Sequence, residues 1–552
     1  MSLVSIRSAR ASRDGLRPLA GVALLVAALC ALPMVAVVIA ALTGGTDTVA
    51  HLAETVLWSY TRATLALVLL VAAGTFVIGV GTAWLVTMTR FPGKRFLEIA
   101  LVIPLAFPAY VLAYAYTHIL DHPGIVQSFL RDVTGWGPRD YWFPEIRSLG
   151  GAALMLVLVL YPYVYLLARA AFLQQSGSTF LAARALGSGA TAAFFRVSLP
   201  LARPAIAGGV LLAVMETIAD FGTVSYFSVQ TFATGIYTSW FALADRAGAA
   251  QLALCLLSFA LLLAMLERLQ RGGAQYHEGA RRTQAMAPAH LKGWRAMLAM
   301  IACALPVVLG AGLPIVVLVS MGIGSEQDLL SPRYIGFVRN SLTLAGVAAL
   351  VTVGAAISVG FFQRLHRGRR ARAAAYVARL GYAVPGGVIA VGLLVPFAAF
   401  DNALDAWMRA TFDISTGLLV TGSIWLLVVA YMVRFLAAAL GAYEGGQAMV
   451  HGNMDAASRS LGQGPLGTLR RVHLPILAPS LLTALLIVFV DVMKELPATL
   501  IMRPFNYDTL AVQAYRLAND ERLEGAAVPS LVIVAMGLLP VILICRQVGR
   551  RG

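Results

Sequence analysis

LAARALGSGATAAFFRVSLPLARPAIAGG, Leu181 to Gly209, and AASRSLGQGPLGTLRRVHLPILAPSLLTA, Ala456 to Ala484, are one passage written twice, 275 positions apart. Arg184 falls on Arg459, Leu186 on Leu461, Gly187 on Gly462 and Arg196 on Arg471. Val197 then meets Val472, Leu199 meets Leu474, Pro200 meets Pro475, and Pro204 meets Pro479. The register continues without a gap to Glu216 over Asp491 and Asp220 over Glu495. A fainter echo sets Thr64-Leu65-Ala66 over Thr343-Leu344-Ala345. The offset is one position short of half of the 552 residues, so the chain reads as a duplication, and a repeat decides the fold before any single element does.

The surroundings of the repeat are apolar. Hydrophobic residues make up 59% of the chain and charged residues only 12%, which excludes a soluble enzyme and a disordered chain alike. A bilayer crossing needs about 20 mostly apolar residues. Twelve stretches qualify: 19–42, 64–88, 96–119, 149–171, 205–227, 249–266, 296–320, 341–362, 376–400, 417–440, 480–500 and 525–545. They are continuous runs, unlike the short alternating segments of a β-barrel. The fold class is therefore an all-α polytopic membrane protein, about 12 transmembrane helices in two parallel six-helix repeats. The expected division is a first half at 1–266, a polar linker at 267–295 and a second half at 296–552.

Basic residues set the orientation. With the N-terminus inside, 30 Lys and Arg lie in inner segments and 10 in outer ones, which puts both termini in the cytoplasm. The net charge of +16 thus reads as topology, and no nucleic-acid partner is implied. The four cysteines form no CxxC pair, and no Walker A loop, HExxH or GxSxG elbow occurs. The chain carries no ATPase site, catalytic cluster or metal-ligand set of its own.

Each repeated passage lies in an inner loop, near 172–204 and near 441–479. A small-residue helix ends at a glycine that can take positive φ, and an apolar-basic stretch leads to Leu-Pro and a second proline four residues on. Pro204 and Pro479 are expected where the next span begins. The result is a helix–turn–helix near the membrane surface, joined to a span.

Charges recur inside the following spans. Glu216 and Asp220 in the first half, and Asp491, Lys494 and Glu495 in the second, sit at helical spacing, so each span is expected to carry an acidic stripe. Such groups are costly in hydrocarbon and need partners or water. Lys494 can compensate Asp491 or Glu495. Two roles stay open: a polar clamp between the halves, or a translocation route whose negative potential favours a cation.

The repeated loop resembles the E-A-A-x-x-x-G loop of binding-protein-dependent ABC importer permeases of type I architecture. The resemblance implies that Leu181, Ala182, Ala183, Arg184, Leu186, Gly187, Leu199, Pro200 and Pro204 form one ATPase-coupling loop. Asp455, Ala456, Ala457, Arg459, Leu461, Gly462, Leu474, Pro475 and Pro479 form the other. The motif's glutamate is replaced by Leu181 in the first copy. In the second, Asp455 stands one residue before the strict position, Ala456, and Ser458 replaces the second alanine. Met215 to Phe227 and Met493 to Glu521 resemble the fused iron(III) permeases, with thiamine, polyamine and phosphonate permeases sharing the architecture. The implied partners are two copies of a cytoplasmic ABC ATP-binding subunit, an extracytoplasmic substrate-binding protein and the lipid bilayer of a bacterial inner membrane. ATP and Mg would be used by the partner, with no cofactor bound directly. A proton-coupled secondary transporter would use the buried carboxylates but gives no reason for two matched loops.

Overall fold

A computed structural model describes residues 16–175, 187, 189–272, 289–325, 327–366 and 368–549. Hydrocarbon offers backbone groups no hydrogen bonds, so long apolar runs close their own as helices. Among the described residues, 11 helices are long and apolar enough to cross a bilayer. The chain is a multi-pass, all-α membrane protein.

In chain order the first half has α1 (Leu16–Thr43), α2 (Leu57–Met88), α3 (Lys94–Ala100), α4 (Ala109–Leu120) and α5 (Ile125–Thr134). It continues with α6 (Leu149–Gln174), α7 (Leu199–Ala219), α8 (Gly222–Tyr226) and α9 (Arg246–Gly272). The second half has α10 (Trp294–Ile323), α11 (Pro332–Leu365), α12 (Arg369–Leu380), α13 (Gly386–Phe412) and α14 (Ile424–Gln447). Then follow α15 (Gly452–Ser460), α16 (Leu474–Met493), α17 (Pro497–Met502), α18 (Leu510–Asn519) and α19 (Leu523–Gly549). A two-residue parallel ladder, β1 (Thr89–Arg90) with β2 (Ala289–His290), ties the end of α2 to the approach to α10.

Several expected spans are corrected. The run 96–119 is broken: Lys94–Ala106 and Ala109–Thr134 meet at 95°. Phe107 is extended, with ψ 135°, because a following proline disfavours helix, and Pro108 then opens α4. The second half repeats the device at Val384-Pro385, so the expected 376–400 begins at Gly386 and reaches Phe412. The runs 205–227 and 480–500 move N-terminally to Phe194–Ala219 and Pro465–Met493. Hydropathy alone carries across Asp220 and Lys494, where the backbone leaves the helix. Arg434, assigned to an inner segment by charge counting, sits in the middle of α14.

Packing divides the chain differently from its sequence halves. One compact unit comprises the described residues of 1–50, 236–257 and 328–512; the other comprises those of 51–235, 258–327 and 513–552. In the first unit α1 packs on α13 and α11, crossing where a Cβ on Gly392 would lie 2.3 Å from the Pro33 carbonyl oxygen. In the second, α2 lies along α6 with Gly74 against Val157 and Gly79 against Val164. There α10 reaches the same helix, Gly310 facing the Leu158 carbonyl. Small residues let helix backbones approach in lipid, where no hydrophobic drive separates helix from solvent. Each half's first span thus packs among helices of the other half.

Candidate functional site

The second repeated loop is built around α15. Asp455 lies in its first turn and Arg459 in its last, each at the end where the helix dipole favours its charge. The helix stops at Leu461, and Gly462 takes φ +77°. Gly462 N–H donates to the Arg459 carbonyl at 3.0 Å, and Gln463 N–H donates to that of Ser458 at 3.1 Å. A side chain at Gly462 would be strained there, as the sequence pattern requires.

The two departures from the motif have structural uses. Ser458 is buried and its hydroxyl meets that of Thr468 at 2.8 Å, tying α15 to the helical run that follows. Asp455 is held from two sides: His473 Nε2 lies 2.7 Å from one oxygen, and Arg364 Nε donates to the other at 2.9 Å. Arg364 also donates to the Val450 carbonyl. Burial pushes the Asp455 carboxyl up, but the hydrogen bonds from His473 and Arg364 outweigh it and hold the group below the usual carboxylate range. A displaced acid therefore pins α15 to α11 and to the base of α16. Outward, Ala456, Ala457 and Arg459 are exposed, and Leu461 is 79% exposed.

In the first loop Leu181, Ala182, Ala183, Arg184 and Leu186 lie outside the described residues. Gly187 is exposed with φ +85°, matching Gly462. Downstream the two copies share a π-turn, at Phe194–Ser198 and Leu469–His473. Leu199 N–H donates to the carbonyl of Phe194 and Leu474 N–H to that of Leu469, five residues back in each case. Pro200 and Pro475, which have no N–H to give, follow at once. Pro204 and Pro479 lie inside the helices, not at their starts, because the helical run enters through the π-turn.

The acidic stripes are also interrupted. Glu216 and Asp491 occupy last turns, but α7 ends at Ala219 and α16 at Met493, so Asp220 and Glu495 stand beyond the helix ends. Each caps the short helix that follows. Asp220 accepts from Thr223 N–H at 3.1 Å, Val224 N–H at 3.2 Å and the Thr223 hydroxyl at 3.0 Å. Glu495 accepts from Ala498 N–H at 2.9 Å, Thr499 N–H at 3.0 Å and the Thr499 hydroxyl at 2.6 Å. Lys494 pairs with Asp491 at 3.0 Å. Among the described residues, no three His, Cys, Asp or Glu side chains gather as a metal ion would require.

Three groups escaped the sequence reading. Arg434 lies 3.8 Å from Glu495 inside the first unit, and only its place in an apolar run could have flagged it. Arg364 and His473 find Asp455 from far along the chain, with no local signal. In the second unit, Arg147 bonds Asp121 at 3.0 Å and grips both oxygens of Glu521 at 2.7 and 2.8 Å. The hydrogen bond from Arg147 holds the Glu521 carboxyl below its usual range. This clasp joins the ends of α4, α6 and α19 on the face opposite the repeated loop.

No family model matches the chain. Individual relatives do. The chain is 25% identical to an Fe(3+)-transport system permease protein of Haemophilus influenzae over 87% of itself and 88% of that protein. It is 30% identical to the molybdenum transport system permease protein of Escherichia coli over 34% of itself and 81% of that protein. A putative 2-aminoethylphosphonate transport system permease protein of Salmonella typhimurium is 25% identical over 36% of the chain and 69% of its own length. A solved bacterial ABC transporter for import of the acidic polysaccharide alginate aligns at 14% identity, covering 47% of this chain and 96% of that one. Its TM-score of 0.36 is too low to bear on the fold. The duplicated loop, the paired six-span pattern and the alignments with the ferric and molybdenum permeases agree: the chain belongs to the permease family of binding-protein-dependent ABC importers, in a fused two-half form similar to the iron(III) transport permeases.

Proposed function

We propose that this permease carries ferric iron into the cytoplasm of a bacterium. A soluble binding protein delivers the ion, and two copies of a separate ATP-binding subunit supply the energy. The subunits grip two loops at equivalent positions of the halves 1–266 and 296–552. ATP and Mg are used by that partner, and this chain supplies no cofactor site. The observation that carries the coupling assignment is the second loop, where Asp455, Arg364 and His473 fasten an exposed helix to two spans. A push on Ala456, Ala457 and Leu461 is thereby transmitted to α11 and α16 and not absorbed by a loose loop. Both ends of the chain face the cytoplasm in this reading, following the basic residues.

Iron is favoured by the end-to-end similarity to a ferric permease and by the acids Glu216, Asp220, Asp491 and Glu495 beside the helix breaks. Hard oxygen ligands and negative potential suit a trivalent cation. Glu216 and Asp491, in the last turns of α7 and α16, are the residues that guide it, and they do so transiently, because tight ligation would trap the cargo. The names of the molybdenum and aminoethylphosphonate relatives favour a second reading, an oxyanion cargo. Against it, Glu216 and Asp220 repel an oxyanion, while Lys494 and Arg434 offset Asp491 and Glu495. The test is uptake by the reconstituted complex, with its ATP-binding subunit and binding protein, of labelled iron against molybdate, phosphonate, thiamine and polyamine. Iron-selective, ATP-dependent uptake that slows in the Glu216→Gln, Asp491→Asn double variant is expected; selective uptake of an oxyanion overturns the iron assignment.

A further inference from the structure

The segment between α4 and α6 holds a helix that is inside out for water. In α5 the side chains of Gln127, Ser128 and Arg131 face the protein. Gln127 is buried and donates to the Leu120 carbonyl at 2.9 Å, while its oxygen accepts from the Tyr141 hydroxyl at 2.9 Å. Arg131 donates to the His122 carbonyl at 3.0 Å, to Tyr141 at 3.0 Å and to the Ser128 hydroxyl at 3.1 Å. The opposite face is apolar and uncovered: Ile125, Phe129 and Val133 are each more than half exposed. Trp136, stacked on Tyr141, and Trp142, 85% exposed, extend that surface beyond the helix.

The level of this helix is defined by its neighbours. Asp121 ends α4, and Arg147 precedes the Ser148 cap of α6; the two are paired, so the tips of these helices lie together. Arg131 reaches back nine residues to the His122 carbonyl, across the short turn at 121–124 that separates α4 from α5. An amphipathic helix beside the paired ends of two spans, with Trp and Phe outward, has the composition of a headgroup-layer element. Water would leave the Phe129 and Val133 side chains unburied, and a protein partner would have to match a face bearing a single charged residue, Asp132. Lipid covers such a face without specific complementarity. We infer that α5 and Trp142 form a monotopic lipid anchor, seated in the headgroup–acyl boundary of the leaflet at the N-terminal end of α6 and holding the Arg147 clasp at a fixed depth.

The test uses the full chain in phosphatidylethanolamine–phosphatidylglycerol nanodiscs. Nitroxide is attached at Phe129→Cys, Val133→Cys and, as a water-facing control, Arg139→Cys, with the unsubstituted chain labelled as the blank. Oxygen should broaden the first two spectra more than a water-soluble nickel chelate does, at a depth of about 5–10 Å, with the order reversed at Arg139. Nickel-dominated broadening at both helix positions overturns the anchor, as does protection from both reagents, which would mean a protein cover. An independent reading needs no label. Quenching of tryptophan by shallow-brominated lipid should fall in Trp142→Phe, and unchanged quenching contradicts the proposal.

Discussion

The breaks after α7 and α16 perform one task with two different acids in two different settings. Asp220 caps α8 through Thr223, and Glu495 caps α17 through Thr499, so both copies place a carboxylate where a span stops short, with the threonine it meets three residues on in one copy and four in the other. Their neighbourhoods have diverged. Beside Glu495 stands the Arg434 guanidinium, nearly buried, and the Tyr431 hydroxyl bonded to Thr499. Around α8, Ser225 bonds Tyr515 and Tyr226 packs edge-on against Tyr114, in an aromatic setting. The carboxylates are thus first of all helix-stop devices, and a guanidinium stands beside the one at Glu495.

The largest expected effect separates those two layers. Glu495→Ala removes a cap and also strands the Arg434 charge, a loss of about 3–5 kcal/mol by analogy with broken buried pairs. Asp220→Ala removes a cap alone, at about 0.5–2 kcal/mol. Thermal unfolding followed by tryptophan fluorescence should show the gap, and Arg434→Met should restore part of what Glu495→Ala loses. Equal losses in the two halves would break the comparison.

Next come the loop glycines, where the copies should behave alike. Gly187→Val and Gly462→Val place a β-branched residue at φ +85° and +77°, a strain of about 1–2 kcal/mol. The expected result is inserted protein with ATP hydrolysis retained and uptake lost, read as the ratio of ions moved to ATP consumed. A third effect sharpens the asymmetry of the second loop. The Asp455 carboxyl is depressed, so its contribution is complete above the ordinary carboxylate value, about 4, and is lost as pH falls through its lowered one. Protection of α15 from hydrogen exchange, relative to the intrinsic rate at each pH, should fall on acidification below that range; in Asp455→Asn it should be low throughout and indifferent to pH. The smallest effect belongs to the clasp. Glu521 is 60% exposed, so Glu521→Gln should cost at most about 1 kcal/mol and less in high salt, measured by the same unfolding assay.

Much of this was legible in the chain itself. Gapless register from Arg184 and Arg459 to Pro204 and Pro479 carried the duplication, and the positive φ of both glycines is what the shared spacing led one to expect. The broken third spans were not legible, because a window of hydropathy passes over Pro108 and Pro385 without registering that the preceding residue leaves the helix. The stop at Asp220 and Glu495 was misread for a related reason: helical spacing of acids suggests a stripe, whereas their hydrogen bonds turn forward to Thr223 and Thr499. Asp455 looked like a misplaced motif residue, since Arg364 and His473 reach it from 91 and 18 positions away. The packing of α1 against α13 was invisible, since an apolar run specifies burial but not the neighbour.

The central claim is that the two repeated loops are handles for an external nucleotide-driven motor. Vesicles carrying this permease should be assayed for uptake with and without the ATP-binding subunit, ATP being present in both cases. The account predicts uptake only with the motor, and its loss when either Gly187 or Gly462 becomes valine; sustained accumulation by the permease alone would contradict it.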